Sequence, residues 1–289
     1  MPTSTEVLVS VVIPAFNMEK YLSRSIESIL NQTFKNMEVI VIDDASTDNT
    51  SKIAEEYVDR GVDIFQLEKN GGVANALKTG FEIANGEFIT FLSADDEYLD
   101  PQKTEQQVIE MLKHQSDWSY YHDFFIGENT QQMIKCKPSF IPHFRFLDRY
   151  ISCDYDMLFM SLLFQNPINS SSLMISRDCL NNGGNWDPRW KNADPDGDLI
   201  LRYCIEGMKP HMILGAPLFY RTHPYQLSNN IENMNQNFLN VRMNALKRID
   251  KERLKIIYQK FQPYLILLKI TGIGKQRIEI IKYLDEVMS

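Results

Sequence analysis

Short uncharged runs of β-branched and aromatic residues alternate along the chain with longer stretches whose apolar positions recur every three or four residues. Residues 7–13, Val-Leu-Val-Ser-Val-Val-Ile, carry no charge and predict a strand buried on both faces. Tyr21, Leu22, Ile26, Ile29 and Leu30 share one helical face within residues 19–30. Residues 37–42 predict a second buried strand, 50–58 a helix, 62–67 a third strand and 73–84 another helix, with Asn70-Gly71-Gly72 as the loop before it. Phe88, Ile89, Phe91 and Leu92 form a fourth strand that runs directly into Ser93-Ala94-Asp95-Asp96-Glu97. Strands alternating with helices predict an α/β fold whose central sheet is mostly parallel and flanked by helices. After Leu227 the pattern turns wholly helical. Ile231, Met234, Phe238, Ala245, Ile249, Ile257 and Phe261 mark one apolar stripe, with Lys247, Arg248, Lys251, Arg253 and Lys255 beside it. A domain over residues 1–227 followed by a helical C-terminal appendage over 228–289 is expected.

Three predicted strand ends carry chemistry: Pro14-Ala15-Phe16-Asn17, Asp43-Asp44 and Asp95-Asp96. In an open parallel sheet all three meet at the carboxyl edge, where ligands bind. No glycine fingerprint follows the first strand, which disfavours a dinucleotide-binding unit. Adjacent carboxylates at such an edge suit a hard divalent cation beside phosphate oxygens. A polar turn whose Asp caps the next helix, starting near Asp100-Pro101, competes on equal terms.

Charge narrows the partners. The net formal charge of -8 argues against nucleic acid. The balance is uneven: from Arg242 onward there are 11 basic and 5 acidic residues, against 19 and 33 before it. Cys136, Cys153, Cys179 and Cys204 are widely spaced without a paired CxxC, as reduced cytosolic thiols are. The first residues, Met-Pro-Thr-Ser-Thr-Glu, lack the basic and apolar parts of a signal peptide, and the apolar run at 264–268 is too short to span a bilayer.

Taken together, residues 11–17 (Val-Val-Ile-Pro-Ala-Phe-Asn), 41–48 (Val-Ile-Asp-Asp-Ala-Ser-Thr-Asp), Asn70-Gly71-Gly72 with Ala76 and Gly80, and 91–96 (Phe-Leu-Ser-Ala-Asp-Asp) resemble the successive motifs of family 2 glycosyltransferases. The second half extends the resemblance through Ser170 to Arg177, Gly183 to Asp187, Asp194 to Leu199 and Pro217 to Pro224, so that it covers about residues 7–225. It implies a GT-A fold, inversion at the anomeric carbon, a nucleotide-diphosphate sugar donor (UDP before GDP or dTDP) and a glycan or lipid-linked acceptor of a bacterial surface polysaccharide. Pro14, Ala15 and Asn17 are then expected to line the nucleotide, Phe16 to stack on the base, and Asp44 to accept a hydrogen bond from it, a helix cap being the alternative for Asp44. Asn70, Gly71, Lys78, Ser93 and Ala94 complete the donor side. Asp95, Asp96 and His223 are the expected ligands of Mn²⁺ or Mg²⁺.

Aligning Asp198-Leu199 with the Asp-Leu of the family's Glu-Asp-x-Asp-Leu puts Asp196 at the general base, Asp194 as its rival and Asp198 as the cap of the following helix. Three positions depart from the pattern. Ser93 stands where Asp is frequent, Leu77 and Lys78 where Arg-Asn is frequent, and Pro195 where Glu is usual. These departures keep a catalytically inactive nucleotide-sugar-binding scaffold as the alternative function. The aromatic segment 118–155, with His122 and His143, is either an acceptor-sugar platform or a cover over the core. A cytosolic enzyme is expected. Its basic tail has three candidate resting places: an anionic membrane surface, the acidic body, or a second subunit.

Overall fold

The computed structural model describes residues 6–141, 144–192, 194–226, 229, 231–270 and 275–288. The 227/228 domain boundary, residues 1–5, His143 and the side chain of Ile231 lie outside the described residues. The first half runs β1 (Val9–Ala15), α1 (Leu22–Leu30), β2 (Met37–Asp43), α2 (Thr50–Glu55), β3 (Val62–Gln66), α3 (Val73–Ile83), β4 (Phe88–Phe91), β5 (Glu97–Tyr98) and α4 (Lys103–His114). The middle holds β6 (Trp118–Tyr121), β7 (Phe124–Gly127), β8 (Ile134–Cys136), α5 (Asp148–Ile151) and α6 (Tyr155–Phe164). Then follow β9 (Met174–Ser176), α7 (Arg177–Gly183), α8 (Pro195–Ile205), β10 (Pro210–Ile213) and β11 (Leu218–Arg221). The chain closes with α9 (Ile231–Arg248), α10 (Lys251–Ile270) and α11 (Lys275–Met288).

Among the described residues the central sheet has seven strands in the order β10-β6-β9-β4-β1-β2-β3. Only β9 runs antiparallel to its neighbours. A second sheet, β5-β11-β7-β8, folds over one end. The uncharged composition of β1 is explained by burial of all seven of its residues. Val9, Val11 and Ile13 pack with α1 and with Val108 and Met111 of α4, whereas Val12 packs with Ile40, Ile42 and the α3 residues Ala76, Leu77 and Phe81. Alternate residues therefore serve opposite layers, as a strand covered on both faces requires.

The helices are shorter than the apolar pattern suggests. α2 stops at Glu55 because the chain tightens into a 3-10 turn at Val58–Arg60 and leaves it through Gly61 at φ +84°. The C-terminal stripe is divided between α9, which packs on α8, and α10, which packs on α6. Phe261 stacks on Phe164 at 6.3 Å, and α6 is buried from Met157 through Phe164. The tail's cations meet the body's acids: Arg253 pairs with Asp156 at 2.8 Å, Lys260 with Asp154, and Arg242 with Asp194. Of the three resting places, the acidic body is thus the one seen within this chain. The four cysteines form no disulfide. Among the described residues no helix is long and apolar enough to cross a membrane.

Close approach of α3 to the sheet positions the loop before it, and Gly80 permits that approach. A Cβ there would lie 2.4 Å from Val12 Cγ1 and 3.1 Å from Ile42 Cγ1. Replacing Gly80 by Ala would gain up to about 1 kcal/mol of helix propensity. Overpacking two immobile strand side chains costs about 1–3 kcal/mol. Gly80→Ala is therefore expected to lower the denaturation midpoint in urea with an unchanged m-value. A raised midpoint would show that the layers can separate freely.

Candidate functional site

The three chemistry-bearing strand ends meet, as expected, along one cleft of about 420 Å³, which Pro14, Ala15, Phe16, Asp44, Ser93, Ala94 and Asp95 help to line. Parallel register brings Ala15 beside Asp43, and the Asp44 amide donates to the Ala15 carbonyl at 2.8 Å. Asp44 caps no helix. Its Oδ1 accepts from the Gly71 amide and its Oδ2 from the Gly72 amide, each at 2.8 Å. Gly72 has φ +86°, a conformation glycine adopts without strain. Burial pushes the Asp44 carboxyl up while the two amides pull it down. Asp44 thus ties the Asn70-Gly71-Gly72 loop to the sheet edge and presents its remaining lone pairs to the cleft.

Not every expected donor-side residue faces the cleft. Asn17, at φ +56°, turns its Oδ1 to the Thr47 amide at 2.8 Å, so it orders the loop after β2 while Phe16 and Met18 line the space. The Gly71 amide is committed to Asp44. Lys78 points away: it sits on the outer face of α3 and pairs with Glu82 one turn on. Leu77, its neighbour, is the one that lines the cleft.

Asp95 and Asp96 part company at the end of β4. The Asp96 amide closes a turn on the Ser93 carbonyl at 2.9 Å, which aims the two side chains in different directions. Asp95 faces the cleft, with its Oδ2 2.9 Å from His223 Nε2. The His223 ring packs against Tyr21 at 4.9 Å between centroids. Asp96 is turned inward instead. It is 2% exposed and accepts from Ser171 Oγ at 2.7 Å and the Arg221 amide at 3.1 Å. Burial and the neighbouring Asp95 charge push its carboxyl well up. Of the three expected ligands the structure brings Asp95 and His223 together, and it turns Asp96 inward as a buried brace. An oxygen and an imidazole nitrogen side by side at the cleft fit a divalent cation such as Mn²⁺, which accepts both ligand types.

Arg221 holds this arrangement. It is 2% exposed, its Nε donates to the Asp95 carbonyl at 3.0 Å and its Nη1 to the Glu128 carbonyl at 2.9 Å, and it forms an ion pair with Glu97. It stands two residues before His223 and was not among the expected site residues.

The N-terminus of α8 also delivers Asp194 and Asp196 to the cleft. Asp196 lies in the first turn and accepts from Asn166 Nδ2 at 3.1 Å. Burial raises its carboxyl pKa, against smaller lowering contributions from Asn166 and the helix-terminal amides. Asp194 takes a left-handed backbone (φ +58°), makes no cap hydrogen bond and pairs with the fully buried Arg242 of α9. Arg242 also donates to the Leu162 carbonyl at 3.1 Å and lies 3.8 Å from the Phe238 ring centroid. Asp198 is not the helix cap. It lies within α8 and pairs with Arg202 at 2.8 Å, and Arg202 reaches on to the Gly183 and Asn185 carbonyls.

A second cavity, about 580 Å³, adjoins the first and shares Ser170, Asp194, Asp196 and Tyr220 with it. Phe124, Phe238, Asn166 and Arg277 extend it. Among the described aromatic residues of segment 118–155, Phe124 lines this space; Trp118, Tyr120, Tyr121 and Phe140 are core, and Phe146 and Tyr150 are exposed. The buried His122 bridges Asp123 at 2.8 Å and Asp148 at 3.0 Å. Asn166 and Arg242 belong to no motif, so only the fold brings them to the site.

Comparison with known proteins adds family and fold. The family model described as Glycosyl transferase family 2 matches residues 10–169. The Escherichia coli UDP-Glc:alpha-D-GlcNAc-diphosphoundecaprenol beta-1,3-glucosyltransferase WfgD is 37% identical over 123 residues, 43% of this chain and 48% of that protein. The chain therefore spans about half the length of that curated relative. Staphylococcus aureus TarS 1-349 in complex with UDP-GlcNAc superposes with a TM-score of 0.65 at 18% identity, covering 86% of this chain and 70% of that one. The mannosyltransferase PcManGT from Pyrobaculum calidifontis, in complex with GDP-Man and Mn²⁺, superposes with a TM-score of 0.63 at 13% identity, covering 97% and 80%.

The Arg242–Asp194 pair makes the second wall testable. Arg242→Met leaves a largely buried carboxylate without its counter-ion, a loss of about 3–5 kcal/mol. Adding Asp194→Leu removes that uncompensated charge and is expected to restore most of the stability. A double-mutant cycle by urea denaturation, with Asp194→Leu as the other single variant, reads the coupling; a double variant whose loss is the sum of the two single losses would show that the pair carries none of the wall.

Proposed function

The chain belongs to glycosyl transferase family 2 and has the GT-A fold, and from that premise we propose that it moves a sugar from a nucleotide-diphosphate donor, a UDP-sugar first, to a glycan or lipid-linked acceptor with inversion. The observation that carries this reading is the position of Asp196: in the cleft that Asp95 also lines, at the seam with a second cavity. A single displacement needs a leaving-group side and a base side, with the anomeric carbon between them. The UDP-GlcNAc bound by TarS and the diphosphoundecaprenol-linked substrate in WfgD's name support a nucleotide donor and a lipid-linked acceptor of bacterial surface polysaccharide assembly.

In this reading Phe16, Pro14 and Ala15 hold the nucleotide against the sheet edge, and the loop fixed by Asp44 borders the sugar. Asp95 and His223 hold a divalent cation, as Mn²⁺ in the PcManGT complex suggests. When bound, that cation would neutralise charge developing on the departing diphosphate. The acceptor occupies the second cavity and directs a hydroxyl at the anomeric carbon. Asp196 takes the hydroxyl proton as the new bond forms. Asn166 orients its carboxylate, and burial raises its proton affinity toward the range useful to a general base. Asp194, already paired with Arg242, shapes the wall instead. The enzyme is placed in the cytoplasm, where exposed Lys247, Arg248 and Lys251 between α9 and α10 offer a contact to anionic lipid carrying the acceptor.

Asp196→Asn keeps the size and the contact with Asn166 but removes the proton acceptor. Turnover is expected to fall at least about a hundredfold with donor KM little changed. The base must be ionised, and its pKa is raised. The wild-type rate should therefore drop with falling pH along a limb centred above the ordinary carboxylate value, and the residual activity of the variant should lack that limb. If Asp194→Asn is the inactive variant instead, the base is Asp194.

Metal dependence is read separately. Chelator-treated protein should lose transfer and recover it with Mn²⁺ or Mg²⁺, and Asp95→Asn should need much more metal for half-recovery. Full activity of metal-stripped protein would remove the cation from the reading.

A further inference from the structure

Away from the cleft, a second set of ligating side chains meets at the outer edge of the central sheet. Glu110 and His114 stand one turn apart on α4, and His211 lies on the edge strand β10. His114 Nε2 is 3.3 Å and His211 Nε2 3.1 Å from the same oxygen, Glu110 Oε2. The two imidazole rings lie 4.1 Å apart and nearly parallel, at 19°. Among the described residues this is the one group of three or more His, Cys, Asp or Glu side chains whose ligand atoms all lie within 4.8 Å of one another.

We propose that Glu110, His114 and His211 form a binding site for a borderline transition-metal ion of the zinc type, separate from the donor-side cation. Ligands held about 2.0–2.1 Å from a tetrahedral zinc are about 3.3–3.4 Å from each other, close to the 3.3 and 3.1 Å that separate the two imidazole nitrogens from Glu110 Oε2. Two imidazoles and one carboxylate are a set that zinc accepts, and a fourth position remains for water. The three side chains are partly exposed, so an ion can enter from solvent. Lys113 pairs with the other carboxylate oxygen, Glu110 Oε1 at 3.2 Å, and leaves Oε2 to the imidazoles.

The consequence is mechanical. β10 is the terminal strand, bonded to β6 along one side alone, and α4 ends at His114. A bound ion would clip the end of the helix to the strand. This site does not depend on the transfer reaction, so its test succeeds or fails independently of the proposed function.

The experiment titrates Zn²⁺ by calorimetry, and Co²⁺ by its visible absorption, into chelator-stripped full-length protein. Wild type and Asp95→Asn should each bind one ion at this site, with tetrahedral-type Co²⁺ bands and a Zn²⁺-dependent rise in melting temperature. His211→Gln and His114→Gln, folded by circular dichroism, should weaken binding at least tenfold and abolish the bands. Absence of saturable binding in Asp95→Asn, or unchanged binding in both histidine variants, would overturn the proposal. Because both histidines are partly exposed and the substitutions keep polarity, the variants report on ligation rather than on folding.

Discussion

One buried guanidinium fixes the reactive edge of this molecule. Arg221 sits in the small sheet, yet it reaches the Asp95 carbonyl, the Glu97 carboxylate and the Glu128 carbonyl, while its own amide serves Asp96. Stripped of these partners a buried charge would cost several kcal/mol, so the segments that supply them cannot drift apart independently. The antiparallel pairing of β5 with β11 sets Phe219 opposite Glu97 and so brings His223, two residues beyond Arg221, back over Asp95. The position of the candidate ligands is therefore a consequence of how the two sheets are joined. It is not a property of a flexible acidic loop.

The same join explains what was and was not legible in the sequence. Uncharged runs and their polar ends were sufficient to place β1, β2 and β4 and to bring Asp44 and Asp95 to one edge, because parallel strands share an edge by construction. Asp95 and Asp96 are chemically identical neighbours, and nothing local distinguishes them. What separates their fates is Ser171 and Arg221, 75 and 125 residues away. Asp198 was expected as a cap because acids favour helix starts, but the helix begins three residues earlier at Pro195 and frees it to pair with Arg202. Lys78 could by its place in a motif serve the diphosphate or simply lie on the helix surface; the 3.6-residue period of α3 gives the cleft to Leu77 and the outer face to Lys78.

Charge imbalance along the chain also acquires a structural meaning. The excess of cations in the last fifth of the sequence is set against acids at Asp154, Asp156 and Asp194. The first two lie at the start of α6 and the third at the start of α8, so the tail's cations gather at helix N-termini that already hold carboxylates. Those carboxylates suit the helix dipoles, and the cations then balance their charge. Such pairs are worth little when exposed, but Arg242 and Asp194 are buried, and theirs is the contact that ties the tail to the site.

From this follows an asymmetry between the two cavities. The first is walled by strand ends whose spacing is set by backbone hydrogen bonds and by a loop pinned through Asp44, so its shape tolerates little change. The second is walled by Phe124, Phe238 and Arg277 on separate elements, held by side-chain packing. Substitution of such side chains alters a cavity's outline without disturbing a ladder. Asp196 stands where the two meet, anchored from below by α8 and from the side by Asn166. Under the proposed function, a rigid cavity for the donor and an adjustable one for the acceptor, with Asp196 at their boundary, would allow acceptor preference to diverge while the reaction geometry stays fixed.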